Sequence, residues 1–278
     1  MTDADRPLPT VDQMSPQTAT AIDPLRRRLL SRTNALSVDR LLDLGRRRIE
    51  TRQDRAELLT IRDGADVAWR TDSGQPLVTV RIATYRAAQT LHRSIDSALA
   101  QTYPQVEVLV VGDACDTATA TVAEGYGDAV RFLNLPRRGQ YPADPDRRWM
   151  VAGAAPMNAA LDLARGAWIA PCDDDDVLTA THVERLLDRA LVGRFEMVWS
   201  RAGMQQPDRS WRVTQGPPMR HGQISHGSVL YCTDLRFLRY NRRSYLGGAP
   251  GDWDLWRRMR DAGVRIGFLD DLTYYHFA

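Results

Sequence analysis

Between residues 77 and 192 the apolar positions switch repeatedly from a period of two to a period near three and a half. Little except a layered α/β domain accommodates that alternation. Residues 77–83, Leu-Val-Thr-Val-Arg-Ile-Ala, form a strand-like run, and 88–101 places Leu91, Ile95 and Leu99 at helical spacing. Strand-like 106–111, helix-like 117–126, strand-like 130–133, helix-like 157–164, strand-like 167–171 and helix-like 181–192 follow in turn. Strands separated by helical crossovers of this length pair in parallel, so the pattern predicts an α/β fold with a mostly parallel sheet flanked by helices. Beyond 192 the spacing loosens, with strands expected at 196–200, 211–214, 228–231 and 264–269 and helices at 234–240 and 252–262.

A different pattern governs the amino-terminal part. Residues 1–22 are rich in Pro, Thr, Asp and Gln and predict a flexible tail. Residues 23–75 carry Leu25, Leu29, Leu41, Leu44, Ile49 and Leu58 at helical spacing among many arginines, which predicts a helical extension of two amphipathic helices laid on the main domain, 76–278. The clusters Arg26-Arg27-Arg28 and Arg46-Arg47-Arg48 offer a second use for these helices, peripheral contact with an anionic membrane or a protein partner.

Composition narrows the chemistry. The 37 basic residues, all arginine, nearly balance 35 acidic ones and leave a formal charge of +2, so no global field draws the chain to nucleic acid. Without lysine, Schiff-base and P-loop lysine mechanisms are excluded. Cys115, Cys172 and Cys232 have no CxxC spacing, which argues against a zinc knuckle or disulfide framework and for a reducing, cytoplasmic setting. The first sixteen residues are polar and acidic where a secretory signal needs a basic start and an apolar run, and no stretch has the apolar length of a membrane span.

In open α/β sheets ligands bind beyond the carboxyl ends of the strands. Those ends read Ala83-Thr84-Tyr85-Arg86, Gly112-Asp113-Ala114-Cys115-Asp116 and Asp173-Asp174-Asp175-Asp176. Successive carboxylates repel one another, and a hard divalent cation relieves that repulsion. Since Mg²⁺ or Mn²⁺ takes one or two protein carboxylates together with substrate phosphates, the run points to a bound diphosphate. The structural alternative is an acidic loop in which Asp176 or Thr179 caps the following helix.

Taken in order, these segments resemble a family 2 glycosyltransferase with the GT-A fold. The resemblance is carried by Val78-Thr79-Val80-Arg81-Ile82-Ala83-Thr84-Tyr85, by Ser94-Ile95-Asp96-Ser97-Ala98-Leu99 with Val106-Glu107-Val108-Leu109-Val110-Val111, and by Gly112-Asp113. Asn158-Ala159-Ala160-Leu161 then leads into the aspartate run, which looks like the DxD segment, and Gly251-Asp252-Trp253-Asp254 looks like the catalytic acidic motif. The resemblance implies an inverting transfer of sugar from a nucleoside diphosphate donor, UDP-type, to an acceptor hydroxyl, assisted by Mn²⁺ or Mg²⁺. It implies that Ala83, Thr84, Tyr85 and Asp113 hold the nucleotide, with Asp113 accepting from the base. Asp175 becomes the direct metal ligand, with Asp173 or Asp174 toward the ribose, and Asp252 the general base.

Other positions follow from the same resemblance. The family's basic residue before the asparagine is replaced by Met157, so Arg147 and Arg148 in the preceding loop are candidates for the diphosphate. His226, Gly251 and Trp253 fall where the family lines its acceptor or sugar pocket, and His276 where some GT-A enzymes place an additional metal ligand. Two rivals stand beside this reading. One is a non-catalytic nucleotide- or carbohydrate-binding module, which predicts loss of the acidic positions. The other is an acidic-nucleophile phosphotransferase, which requires DxDx[TV] after the first strand, where this chain has Ala-Thr-Tyr.

Overall fold

The computed structural model describes residues 7–16, 38–64 and 74–278. Its centre is a ten-stranded sheet whose first half is wholly parallel, in the order β5-β2-β3-β4. These strands are β2 (Val78–Thr84), β3 (Val106–Gly112), β4 (Val130–Asn134) and β5 (Trp168–Asp173). Val80 lies opposite Val108 on one side and Ala170 on the other, and all three are buried. Burial on both faces explains why the strands read as β-branched runs without polar alternation.

The crossovers are α2 (Leu91–Leu99), α3 (Thr117–Glu124) and α5 (Ala154–Leu163), with a short α4 (Pro145–Trp149) in the Pro- and Arg-containing loop. Asp116 starts α3 by accepting the Thr119 amide at 3.0 Å, an N-cap bond. Then α6 (His182–Gly193) packs Val183, Leu186, Leu187 and Ala190 into the core on the face that α2 covers.

The second half of the sheet is mixed. β7 (Met197–Gln205) and β8 (Trp211–Val213) are antiparallel across a tight turn, and β9 (Val229–Cys232) runs antiparallel to both β5 and β7. The long β10 (Ile266–His276) lies parallel to β7 and then antiparallel to β6 (Val177–Leu178). Strands β7 and β10 run well past their expected limits, 200 and 269. Register shifts between Leu269 and Leu272 and between Leu272 and Tyr274 interrupt the period of β10 while pairing continues to His276. The helix expected at 234–240 is instead a 3₁₀ turn, Thr233–Phe237, because after Leu235 the chain turns extended at Leu238 to bury that side chain as well.

The amino-terminal segment corrects the expectation of a loose tail. Residues 15–16 form β1 (Ser15–Pro16), paired parallel with β8, and Met14 is buried with Val213 and Tyr275. Tyr275 Oη donates to the Pro9 carbonyl at 2.7 Å. One methionine anchors the segment, a signal that average composition hides. Residues 38–64 form a single helix, α1 (Val38–Gly64); the other expected helix, with Arg26-Arg27-Arg28, lies outside the described residues. α1 docks on α7 (Gly251–Ala262). Leu58 enters the second core cluster beside Trp256 and Met259, and Arg258 donates to both oxygens of Asp54 at 2.8 and 3.0 Å. All three cysteines are unpaired.

Candidate functional site

Register brings the strand ends together. Thr84 lies opposite Gly112, and Ala83 opposite Asp173, so the residues that leave β2, β3 and β5 meet at one edge. The Asp113 amide donates to the Thr84 carbonyl at 2.8 Å, and the Tyr85 amide reaches Asp174 Oδ2 at 3.3 Å. Thr84 is buried there beside Asp174. Gly112 is required at this junction, since a Cβ would lie 2.5 Å from Asn134 Oδ1.

Asp113 is engaged within the protein. Its Oδ1 accepts the Gly139 amide at 2.8 Å and its Oδ2 the Tyr141 hydroxyl at 2.6 Å, while Arg138 stacks 3.8 Å above the Tyr85 ring. The loop after β4 therefore covers two of the residues that the resemblance gives to the nucleotide.

The aspartate run divides into distinct environments. Asp173 Oδ1 pairs with His226 Nδ1 at 2.6 Å. Burial opposes its ionisation, and the paired histidine overrides that and holds the carboxyl at about 2. Asp174 is pushed up to about 6, chiefly by burial. Asp175 is pushed up to about 7, by burial first and then by Asp176, Asp173 and Asp174. Its carboxylate has no hydrogen-bond partner among the described residues, whereas its carbonyl accepts from Arg93. This mutual repulsion is electrostatic strain of the kind that a bound cation relieves.

Asp176 does not cap the next helix. It is fully buried and turned toward β10, where it accepts from the Tyr274 hydroxyl, from His276 Nδ1 at 2.9 Å and from the Phe277 amide at 2.9 Å. His276, whose ionisation burial alone would suppress, is raised to about 9 chiefly by Asp176. One ligand atom each from Asp173, Asp176 and His276 lies within 4.8 Å of the others, a group of metal-binding dimensions. Gly227 closes this corner, since a Cβ there would lie 2.1 Å from the Tyr274 ring.

Asp252 stands in the first turn of α7, half-buried, with no hydrogen bond or ion pair on its carboxylate among the described residues. It and Asp173 both act on the buried Tyr240 hydroxyl, which burial drives well above its ordinary value. Residues of the two acidic motifs thus act electrostatically on a common tyrosine although 79 positions separate them in sequence.

The remaining expected positions lie nearby or apart. His226 is buried beside Asp173. The Gly251 amide donates to the Met150 carbonyl at 2.7 Å, which ties the end of α4 to the start of α7. Arg147 stands 6.0 Å from the Tyr245 ring, and Arg148 Nη1 is 3.5 Å from the Ala143 carbonyl, so neither contacts the aspartate run among the described residues. Trp253 stacks on His221 with ring centres 5.6 Å apart. Sequence reasoning missed Asp176, Tyr274, Tyr240, Arg93 and Arg81 as members of the site. Arg81 alone carried a visible signal, a charge inside an apolar strand.

The family model described as Glycosyl transferase family 2 matches residues 79–246. Succinoglycan biosynthesis protein ExoO of Rhizobium meliloti is 38% identical over 116 residues, which are 41% of this chain and 30% of ExoO. The UDP-Glc:alpha-D-GlcNAc-diphosphoundecaprenol beta-1,3-glucosyltransferase WfaP of Escherichia coli is 24% identical over 157 residues, 56% of this chain and 57% of that enzyme. The match thus spans less than a third of ExoO and little over half of WfaP. Among solved structures, S. aureus TarS 1-349 in complex with UDP superposes with a TM-score of 0.55 at 17% identity, covering 73% of this chain and 60% of that one. The mannosyltransferase PcManGT from Pyrobaculum calidifontis in complex with GDP-Man and Mn²⁺ gives 0.51 at 16% identity, covering 73% and 57%. The structural matches show a shared fold, and the family model spans both the opening strand and the aspartate run: the chain belongs to glycosyl transferase family 2.

Proposed function

We propose that this chain transfers a glycosyl unit, with inversion, from a nucleoside diphosphate sugar to an acceptor hydroxyl. The observation that carries the reading is the grouping of Asp173, Asp176 and His276 at the carboxyl edge of the parallel strands, next to Asp175, with Asp173 and Asp252 both acting electrostatically on Tyr240. UDP is the first donor base to test, since TarS is described with UDP and with UDP-GlcNAc.

The nucleotide is assigned to Ala83, Thr84, Tyr85 and Asp113, with Asp173 and Asp174 toward the ribose. Arg147 and Arg148 are assigned to the diphosphate, which in a lysine-free chain only arginine or histidine can meet as a cation. The donor set of carboxylate oxygens and an imidazole fits Mn²⁺ or Mg²⁺. Asp175 and His276 would hold the ion beside Asp173, and Asp176 would brace the imidazole through Nδ1 and leave Nε2 to face it. Such an ion supplies charge neutralisation for the departing diphosphate.

On the acceptor side, Asp252 takes the hydroxyl proton. The freed oxygen bonds to the anomeric carbon on the face opposite the diphosphate, the carbon–oxygen bond to the diphosphate breaks, and the nucleotide leaves with the electron pair. Asp252 stands in the first turn of α7, where the positive end of the helix favours a negative side chain. His226, Gly251 and Trp253 are assigned to the walls of the sugar and acceptor pocket.

Calorimetric titration with UDP, with and without Mn²⁺, tests the reading, together with release of UDP from UDP-glucose and UDP-GlcNAc with water as acceptor. Metal-dependent binding is expected, and Asp175→Ala should abolish it. Asp252→Asn should bind UDP like the parent and lose at least about a hundredfold in turnover. Undiminished turnover in Asp252→Asn would remove that residue from the mechanism.

A further inference from the structure

Between residues 45 and 63 of α1 only Asp54 and Leu58 are buried, and they share one stripe of the helix with the half-buried Arg47 and Arg62. A docked helix ordinarily buries an apolar stripe. Over this span α1 fully buries one leucine and otherwise holds its neighbours through charged groups. Arg47 Nη2 donates to the Gly247 carbonyl at 3.2 Å. Arg62 Nε donates to Glu196 at 2.8 Å, and its Nη2 to the Gly263 carbonyl at 3.0 Å. Between these two stands the pair of Asp54 with Arg258, whose Nη1 also donates to the Arg239 carbonyl at 2.9 Å.

The partners follow one another in the same order along both helices. Gly247 lies shortly before α7, Arg258 lies within it, and Gly263 comes directly after its last residue, Ala262. α1 therefore grips α7 ahead of its start, near its centre and past its end. Main-chain carbonyls at 239, 247 and 263 receive the donors, so these bonds fix the course of the backbone itself. Apolar packing keeps two helices together but is non-directional, whereas oriented bonds at three levels also oppose sliding and turning. A buried ion pair adds little stability over an apolar contact of equal volume, which leaves geometry as the contribution of Asp54 and Arg258. Asp252 stands in the first turn of the gripped helix. The Arg239 carbonyl directly precedes Tyr240, whose hydroxyl accepts from Arg81 and lies 3.0 Å from His226 Nε2. Both helices lie outside the family match, 79–246.

We propose that Asp54 is a positioning residue: through Arg258 it holds α7 in the register and rotation that present Asp252 to the acceptor hydroxyl, and α1 is thereby part of the acceptor half of the site. The consequence for Asp252 rests on the role given to it under Proposed function, whereas the hold of α1 on α7 rests on the contacts alone.

Native-state hydrogen exchange on the full parent chain, at rising urea below the unfolding transition, tests the hold without any variant. The amides of Ser244, Gly248, Gly251 and Asp254 are expected to exchange through the same opening as those of α1. Opening of α1 while these four stay protected would overturn the proposal. The catalytic consequence is read as release of UDP from UDP-glucose with water as acceptor. In Asp54→Asn this turnover should fall about tenfold while affinity for UDP with Mn²⁺ stays within about twofold of the parent. Asp54→Glu, which restores the carboxylate, should recover most of the loss. Undiminished turnover in folded Asp54→Asn, or an equal loss of UDP affinity, would overturn the proposal. If Asp54→Asn does not fold, Arg47→Ala leaves the buried pair intact and should show the same split at about threefold. Unchanged turnover there would overturn the proposal too. If the parent neither bound UDP nor released it from UDP-glucose, the functional reading of the site would fall while the exchange result stood.

Discussion

On the proposed assignment of Asp113 to the nucleotide base, the 2.6 Å hydrogen bond that it accepts from Tyr141 competes with the base. Such a bond is worth about 1 kcal/mol net, so Tyr141→Phe should bind UDP about fivefold more tightly by calorimetry. Weaker binding would show instead that the tyrosine contacts the nucleotide. His182 illustrates a different kind of residue, one buried for structure. Its Nδ1 is 2.8 Å from Thr273 Oγ1, its Nε2 has no partner among the described residues, and burial lowers it to about 4. The folded state thus prefers the neutral ring more than the unfolded state does. This stability is fully present above pH 6.5, the ordinary histidine value, and is lost as pH falls toward 4, in total about 3 kcal/mol. Urea midpoints across that window should fall less steeply in His182→Gln than in the parent.

Elements differ in how much tertiary support they need, and α1 needs a great deal. Its exposed Ile49 and Leu59 stabilise nothing visible, while Leu58 is 1% exposed and Asp54 pairs with Arg258 of α7. Leu58→Ala should cost about 2–5 kcal/mol, read as a drop in melting temperature. Because α7 also carries Asp252, the same variant should lower turnover on UDP-sugars before it lowers UDP affinity. The parallel half of the sheet was legible almost to the residue, since strands buried on both faces and separated by crossovers leave a plain periodic record. The mixed half was less so. Register shifts in β10 break the period that sequence reading follows, and the two-residue strands β1 and β6 are too short to have one. Of the site, the aspartate run and Asp252 were visible as charges at strand and helix ends. The division of labour among the four carboxylates was not, because it is set by β10, whose Tyr274 and His276 lie about a hundred positions away.

At the scale of the whole molecule, balanced charge hides a local imbalance. Among the described residues no helix is long and apolar enough to cross a membrane. We propose that the protein works in the reducing cytoplasm and meets anionic membrane surfaces peripherally through the Arg46-Arg47-Arg48 cluster of α1. Arg46 pairs with Glu50 and Arg47 Nη2 donates to the Gly247 carbonyl, so Arg48 and the outer face of this turn supply the charge. Co-sedimentation with phosphatidylglycerol vesicles should occur at low ionic strength, disappear at high salt and weaken by about 1 kcal/mol in Arg48→Gln. Equal binding to uncharged phosphatidylcholine vesicles would contradict an electrostatic contact.

The pairing of β10 with both β7 and β6 has a consequence for biosynthesis. The pocket's imidazole and its tyrosine brace are synthesised about a hundred residues after the aspartate that both of them contact. Stalled nascent chains that end before residue 266 would therefore hold an incomplete corner of like charges, and the site would be completed only once β10 has paired with β7 and β6.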